Sequence, residues 1–304
     1  MDNFTPIEFW KNYHLGTELS ISGNFIYNSI YCFELMQIFY YEDEAFEFLY
    51  NAAVGIERLQ KITLILIEHN ENTNQDDFEK GLITHNHLEL NNRIRKNRTV
   101  NFGKVHIKFL SLLSSFYKSI RYDKYNLNSI YNSNNSRQEL ILFIEENLNT
   151  KISIDFLGCT ENNDSIKRFI GKVIQKICKE YFEQIKIECE RLNIYTYEIS
   201  PESKALKVFL GEHLDFIEER IIQKEIIKFL IQSKSSKGFL NYLDEIPPVD
   251  LSMLQTNFYI NYLIDFHKKS GIREEISEYY SEISKISNRI EHLKPIGDID
   301  INFD

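Results

Sequence analysis

The chain has 304 residues, 43% hydrophobic and 26% charged, with 22 Phe and 18 Tyr available for a core. That composition excludes global disorder, and only 11 Gly and 5 Pro exclude collagen-like and low-complexity classes. A formal net charge of −10 favours solubility and disfavours non-specific nucleic-acid binding by the molecule as a whole.

Met1–Trp10 has no basic stretch leading into an apolar run, so no secretory signal is predicted. Helix dominates from there. Ile21–Tyr41 is apolar almost throughout (Phe25, Ile26, Ile30, Phe33, Leu35, Met36, Ile38, Phe39) and predicts a helix buried on more than one side. Its aromatic stripe, extended by Tyr27, Tyr31, Tyr40 and Tyr41, is too dense for base stacking and is read as core or dimer interface. Asp43 and Glu44 fall in the first turn of the next helix, which runs to about Glu68. In it Phe48, Ala52, Ile56, Leu59, Thr63 and Leu66 recur at three- and four-residue steps. The most apolar run, Ile62–Ile67, is far too short to span a membrane. Polar Glu71–Gln75 breaks the chain, and Asp76 is placed to cap a helix carrying Leu82, Leu88, Leu90 and Ile94. Another helix restarts near Asn101 and carries Val105, Phe109, Leu112, Leu113, Phe116 and Ile120.

The stretch from Tyr125 to Ser136 is rich in Asn and Ser and reads as a linker. The predicted organisation is a helical bundle over 1–125, a linker over 126–136, and a second, mainly helical domain over 137–304. That second domain opens with a helix over Arg137–Leu148. Lys151–Leu157 and Ile194–Ile199 then alternate apolar and polar residues, the pattern of two short strands that could pair. A helix from Asp164 to Leu192 lies between them. Ser200–Pro201 has the form of a helix start, and that helix is read to about Gln232. Pro247–Pro248 breaks the chain, Asp250 caps a further helix, and Gly271 precedes the last, Ile272–Leu293. The fold class is mainly α, an antiparallel bundle followed by a helical domain with two short strands.

Cys32, Cys159, Cys178 and Cys189 show no C-x-x-C spacing, which argues against zinc ribbons and redox motifs. Scattered thiols suit a reducing cytoplasm. No phosphate loop, dinucleotide fingerprint or nucleophile elbow occurs, so kinase, NTPase, Rossmann and hydrolase readings are poor. His85-Asn86-His87 spells a nuclease-like triplet, but within a helical pattern residues two apart point about 200° apart and cannot chelate one ion. His85 and Glu89 share a face there and are read as a polar surface pair. Glu274, Glu275, Glu278 and Glu282 form an acidic stripe, read as a solvated face. No cofactor and no metal is expected.

The sharpest anomaly is Asn91–Tyr122. Its 32 residues hold Arg93, Arg95, Lys96, Arg98, Lys104, Lys108, Lys118 and Arg121 and not one acid. In an acidic protein this is a positive island that can neutralise several phosphates. The plainer reading is a basic face that pairs with the Glu-rich helices. His106 lies inside the segment, five residues after Asn101.

Three segments carry a family resemblance. Asn51–Leu66 (NAAVGIERLQKITLIL) resembles the second helix of the HEPN superfamily, helical bundles found among bacterial toxins and antiviral effectors. Thr84–Leu90 (THNHLEL) resembles the segment that follows it, and Ser119–Tyr125 (SIRYDKY) the stretch where the last helices meet. The resemblance covers about residues 20–125. It implies a metal-independent endoribonuclease with R-x(4–6)-H at a helix start, completed across a homodimer. A cation steadies the phosphate and an imidazole handles the proton.

On that pattern His106 is the proton-transfer residue and Asn101 the polar residue after the arginine. The arginine's own position is Val100, so Arg98, or Arg95 through a loop, is the candidate stabiliser. Arg93, Arg95, Lys96, Lys104, Lys108 and Arg121 are the candidate nucleic-acid contacts. The resemblance therefore implies a defence- or toxin-type protein acting on RNA, with a protein partner or antitoxin as a further expectation. The alternative is a non-catalytic dimerisation and partner-docking module of an antiphage defence system.

Overall fold

The computed structural model describes residues 5–121, 135–155, 158–194, 203–217, 238–249, 278–282 and 286–293, with positions 125, 127, 199, 219, 220, 223, 257, 259, 260, 263, 295 and 296. The chain forms two compact units, Met1–Phe216 and Ile217–Asp304. In the first, α1 (Pro6–Phe9) passes through a π-wound turn, Trp10–His14, into α2 (Leu15–Leu35). There follow α3 (Glu42–Glu68), α4 (Gln75–Leu82), α5 (His87–Asn97) and α6 (Lys104–Ser115), which continues as π-wound Phe116–Ile120. Helices α7 (Ser136–Leu148), α8 (Asp164–Leu192) and α9 (Lys204–Phe209) complete it. The second unit contains α10 (Gly238–Glu245) and α11 (Ile286–Leu293). There Arg289 Nη1 donates to the Pro247 carbonyl at 2.9 Å and the Tyr242 hydroxyl to the His292 carbonyl at 2.5 Å.

The mainly helical class holds, and several boundaries move. Helix α7, expected to open a second domain, is anchored on the first unit. The Glu42 carboxylate accepts from the Ser136 and Arg137 amides at 2.8 and 3.0 Å. The unit boundary accordingly falls after Phe216, not in the Asn-rich stretch. Residues 151–155 form no strand. The Thr160 amide donates to the Ser153 carbonyl at 2.9 Å and the Ser153 amide to Thr160 Oγ1 at 2.8 Å, closing a local loop. Alternation there arises because that loop lays Ile152 and Ile154 against the core. Of the second predicted strand, 195–198 lie outside the described residues, as do the proposed caps at Ser200, Pro201 and Asp250 and the break at Gly271. Helix α9 starts instead behind Ser203, whose side chain accepts from the Ala205 amide, and stops at Leu210. The helix expected from Asp76 through Ile94 is two helices, broken at 83–86, where Thr84, His85 and Asn86 interrupt the apolar rhythm.

Asparagine does most of the punctuation. Asn74, Asn86, Asn135 and Asn163 each turn a side-chain oxygen onto amides of the first turn of α4, α5, α7 and α8. Asn149 and Asn193 end α7 and α8 with φ of 49° and 54°, the left-handed conformation that Asn tolerates better than most residues.

Helices α2 and α3 run antiparallel at close range. Ser22 Oγ donates to the Gly55 carbonyl at 2.8 Å and Ser29 Oγ to the Phe48 carbonyl at 3.0 Å, so seven residues forward in one helix match seven back in the other. Small side chains permit the approach. A Cβ added at Gly55 would stand 2.6 Å from Ile26 Cγ1 and 3.0 Å from the Ile26 amide nitrogen. At Gly23 it would stand 2.4 Å from Ala205 Cβ, where α9 crosses α2.

A buried polar network crosses the core. Gln60 Nε2 on α3 donates to the Tyr181 hydroxyl of α8 at 2.9 Å and to the His87 carbonyl of α5 at 3.0 Å. Gln60 Oε1 lies 3.0 Å from His87 Nδ1, and the Tyr181 hydroxyl donates to Asn91 Oδ1 at 2.9 Å. With both Gln60 protons committed elsewhere, the His87 proton sits on Nδ1. Burial lowers the His87 pKa to about 4, so the ring is neutral.

Gly55→Ala lowers stability in urea by about 1–3 kcal/mol through overpacking, although Ala is the better helix former. For His87 the native pKa lies below the unfolded one, so its contribution is present above about pH 6.5 and lost as pH falls toward 4. The loss is on the order of 3 kcal/mol at 1.36 kcal/mol per pH unit, and His87→Gln removes that part of the pH profile of unfolding.

Candidate functional site

The fold divides the basic segment into committed and exposed cations. Arg93, on α5, forks onto Glu68 of α3, with Nε at 3.0 and 2.9 Å from the two carboxylate oxygens. Its Nη1 donates to the Gly81 carbonyl at 2.8 Å and its guanidinium lies over Phe78. Arg98, at the end of α5, directs Nε and Nη2 to Glu188 Oε1 of α8, the Nε bond measuring 2.7 Å. Glu188 is fully buried, and Arg191 Nε holds its other oxygen at 2.7 Å. Lys108 pairs with Glu146 at 2.7 Å, both in solvent. The Arg121 guanidinium lies 3.9 Å from the Tyr117 ring centroid. Arg95, Lys96 and Lys104 are exposed and form no ion pair with the described residues.

His106 occupies the first turn of α6, behind the N-cap Gly103. The Gly103 amide donates to its Nδ1 at 3.1 Å, so the ring proton is on Nε2. Phe102 stacks on the ring at 5.8 Å, and burial lowers its pKa below the ordinary imidazole value. The result is a neutral imidazole with one N–H to offer. Next to it, exposed Asn101 gives its amide to Glu180 at 3.0 Å, and Lys176 holds the same carboxylate at 2.6 Å. Burial pushes the Glu180 carboxyl up, but these two donors outweigh it and hold it below the usual range.

Asn101 and His106 both lie near Glu180, whereas Arg98 is bound to Glu188. Their anchoring residues, Glu180 and Glu188, are eight positions apart on α8, about 12 Å along its axis. The Arg98 guanidinium therefore serves the fold. Arg98→Ala leaves a buried carboxylate with only Arg191, and chemical denaturation will show a loss toward the low end of about 3–5 kcal/mol. A purely surface arginine would change stability by less than 1 kcal/mol.

A second constellation was not legible as such from the sequence. Glu57 of α3, its side chain 10% exposed, gives Oε1 to Lys61 at 2.7 Å and Oε2 to His85 Nδ1 at 2.9 Å. The expected surface pairing of His85 with Glu89 is corrected by this contact; Glu89 instead meets Thr84 Oγ1 at 3.2 Å. His85 lies in the α4–α5 connection, half exposed, its ring 4.3 Å from that of Tyr117. Arg58, one residue from Glu57, pairs with Glu18 of α2. These groups line a cavity of about 410 Å³, walled on its apolar side by Leu15, Val54, Ile62 and Ile65. The available signal was three charges, at 57, 58 and 61, inside an otherwise apolar helical stripe.

Burial raises the Cys32 thiol to about 12 and the Cys178 thiol higher still, so neither is a thiolate at neutral pH. Among the described residues no cluster of His, Cys, Asp and Glu could hold a metal ion, and no helix is long and apolar enough to cross a membrane. No family model matches the chain, and neither a curated protein nor a solved structure is significantly similar to it.

Proposed function

We propose that the chain is a HEPN-like helical protein that binds RNA along the face formed by the end of α5 and the start of α6. The observation that supports this reading is the exposed set Arg95, Lys96 and Lys104, without ionic partners among the described residues, beside neutral His106. In this reading the three cations meet successive phosphates of a single strand, and Nε2–H of His106 donates to a phosphate oxygen. The amino end of α6 adds backbone N–H groups and the positive end of its dipole.

Arg98 is held by Glu188, so the arginine nearest in sequence to the Asn101–His106 pair is committed to the fold. We therefore read the single chain as an RNA-holding module. Cleavage, if the family's composite site forms, draws its arginine from a second copy across a homodimer. A protein partner or antitoxin would act on that assembly.

Binding of a fluorescent single-stranded RNA, titrated against salt, tests the reading. Replacing Arg95, Lys96 and Lys104 together by Glu will reduce the slope of log K against log salt by about 2, near 0.7 per lost phosphate contact. In EDTA the protein will leave the RNA intact while monomeric; cutting by a dimer that His106→Ala abolishes identifies the composite enzyme. RNA affinity unchanged by the triple replacement overturns the proposal.

A further inference from the structure

The cavity beside Glu57 shares no residue with the proposed RNA-binding face, and its wall carries both signs of charge in equal number. Arg58 pairs with Glu18 and Lys61 with Glu57. With the His85 imidazole neutral, two cations and two carboxylates sum to zero. Neither sign is left over for an ionic ligand. An ion entering there breaks an existing pair and gives up its own hydration. An uncharged molecule does neither.

The remaining wall sets the shape of that molecule. Leu15, Val54, Ile62 and Ile65 are apolar, and Trp10, His85 and Tyr117 bring three rings to the lining. The space they enclose is about 410 Å³. A cavity of about 150 Å³ takes benzene, so this one has room for roughly two or three fused rings. Two π-wound turns border it, Trp10–His14 through Trp10 and Phe116–Ile120 through Tyr117, and such turns often occur at functional sites. Tyr117 is fixed before any ligand arrives. Its ring centroid lies 4.3 Å from that of His85 and 3.9 Å from the Arg121 guanidinium.

His85 adds one acceptor. Its Nδ1 lies 2.9 Å from Glu57 Oε2, so the carboxylate takes the ring proton and Nε2 is left to accept, without a partner among the described residues. Glu57, its side chain 10% exposed, is costly to bury, and apolar residues at such sites are often neutral or stabilising. Its two contacts give that burial a use: one oxygen balances Lys61, and the other sets which His85 nitrogen accepts. We propose that this cavity binds an uncharged fused-ring aromatic molecule bearing one O–H or N–H group, with its rings among Trp10, Tyr117 and the apolar side chains and its donor on His85 Nε2.

The chain supplies its own reporter, because its one tryptophan, Trp10, lines the cavity. Trp10 fluorescence is titrated at about pH 8, where an ordinary imidazole is neutral, with β-naphthol, naphthalene and β-naphthoate, and calorimetry gives a second readout. β-Naphthol is expected to bind about fivefold more tightly than naphthalene, through its one hydrogen bond, and about tenfold or more above the anionic β-naphthoate. In His85→Phe the preference over naphthalene disappears. Val54→Trp, at a partly exposed wall position, fills the cavity and weakens β-naphthol binding by about tenfold or more. Glu18→Gln frees Arg58, gives the wall a net positive charge and raises β-naphthoate affinity severalfold. Glu18 is a half-exposed surface residue, so that variant keeps the test open should Val54→Trp fail to fold. No response to β-naphthol at millimolar concentration overturns the proposal, as does β-naphthoate binding as tightly as β-naphthol. So does an undiminished β-naphthol preference in His85→Phe, full β-naphthol affinity in folded Val54→Trp, or unaltered β-naphthoate affinity in Glu18→Gln.

Discussion

Gln60 has no solvent exposure, and its amide must find all of its partners inside the core. It finds them on α5 and α8, so the helix that carries it cannot turn or slide without leaving buried polar groups unpaired. Helix α3 is thereby fixed in rotation, and much else follows from that. One of its sides must accept α2 through Gly55, Ala52 and Phe48. Its amino end receives α7 through Glu42, its carboxyl end takes Arg93 through Glu68, and a further side holds Glu57, Arg58 and Lys61 at the cavity. Neutral His87 is part of the same constraint, because a charged imidazole at that depth has no carboxylate in its hydrogen-bond shell.

The second organising element is charge. A total of −10 conceals a division of labour in which glutamates on α3, α7 and α8 neutralise particular cations of the basic segment. Glu68 and Glu188 act in partly or fully buried positions, where removing one partner is expensive. Lys108 and Glu146 pair in water, where the contact is worth little. Arg95, Lys96 and Lys104 form no ion pair among the described residues, and they lie at the end of α5 and the start of α6. In the proposed reading these are the charges that meet a phosphate backbone.

Long, strongly periodic helices were legible. The stretch read from Asp43 to Glu68 differs from α3 by one residue, and the Asp164–Leu192 helix coincides with α8. Over so many turns the apolar repeat leaves little freedom of phase. Short signals misled. Five residues around Ile152 alternate like a strand because a loop sets Ile152 and Ile154 on the core, and period-2 patterns that short do not distinguish the two. The break between α4 and α5 was hidden because Leu82, Leu90 and Ile94, eight and four residues apart, still fall near one helical face on either side of the polar run at 84–86. The site residues were harder. Arg98 reads as a free cation until Glu188, 90 positions away in sequence, is brought beside it, and His85 reads as half of a local pair until Glu57 reaches it from α3. Such partners are set by tertiary packing, which local pattern does not encode. The charged triplet in the apolar stripe of α3 was visible, but its meaning required the cavity.

In the proposed reading the arginines of one basic segment have different tasks: Arg93 and Arg98 hold the fold, and Arg95 meets RNA. Arginine Nε–H signals in a nitrogen-15 NMR titration with a short single-stranded RNA address each guanidinium separately. The Arg95 signal is expected to shift as RNA is added, while those of Arg93 and Arg98, held by Glu68 and Glu188, stay in place. A shift of Arg98 with Arg95 unmoved would contradict that reading.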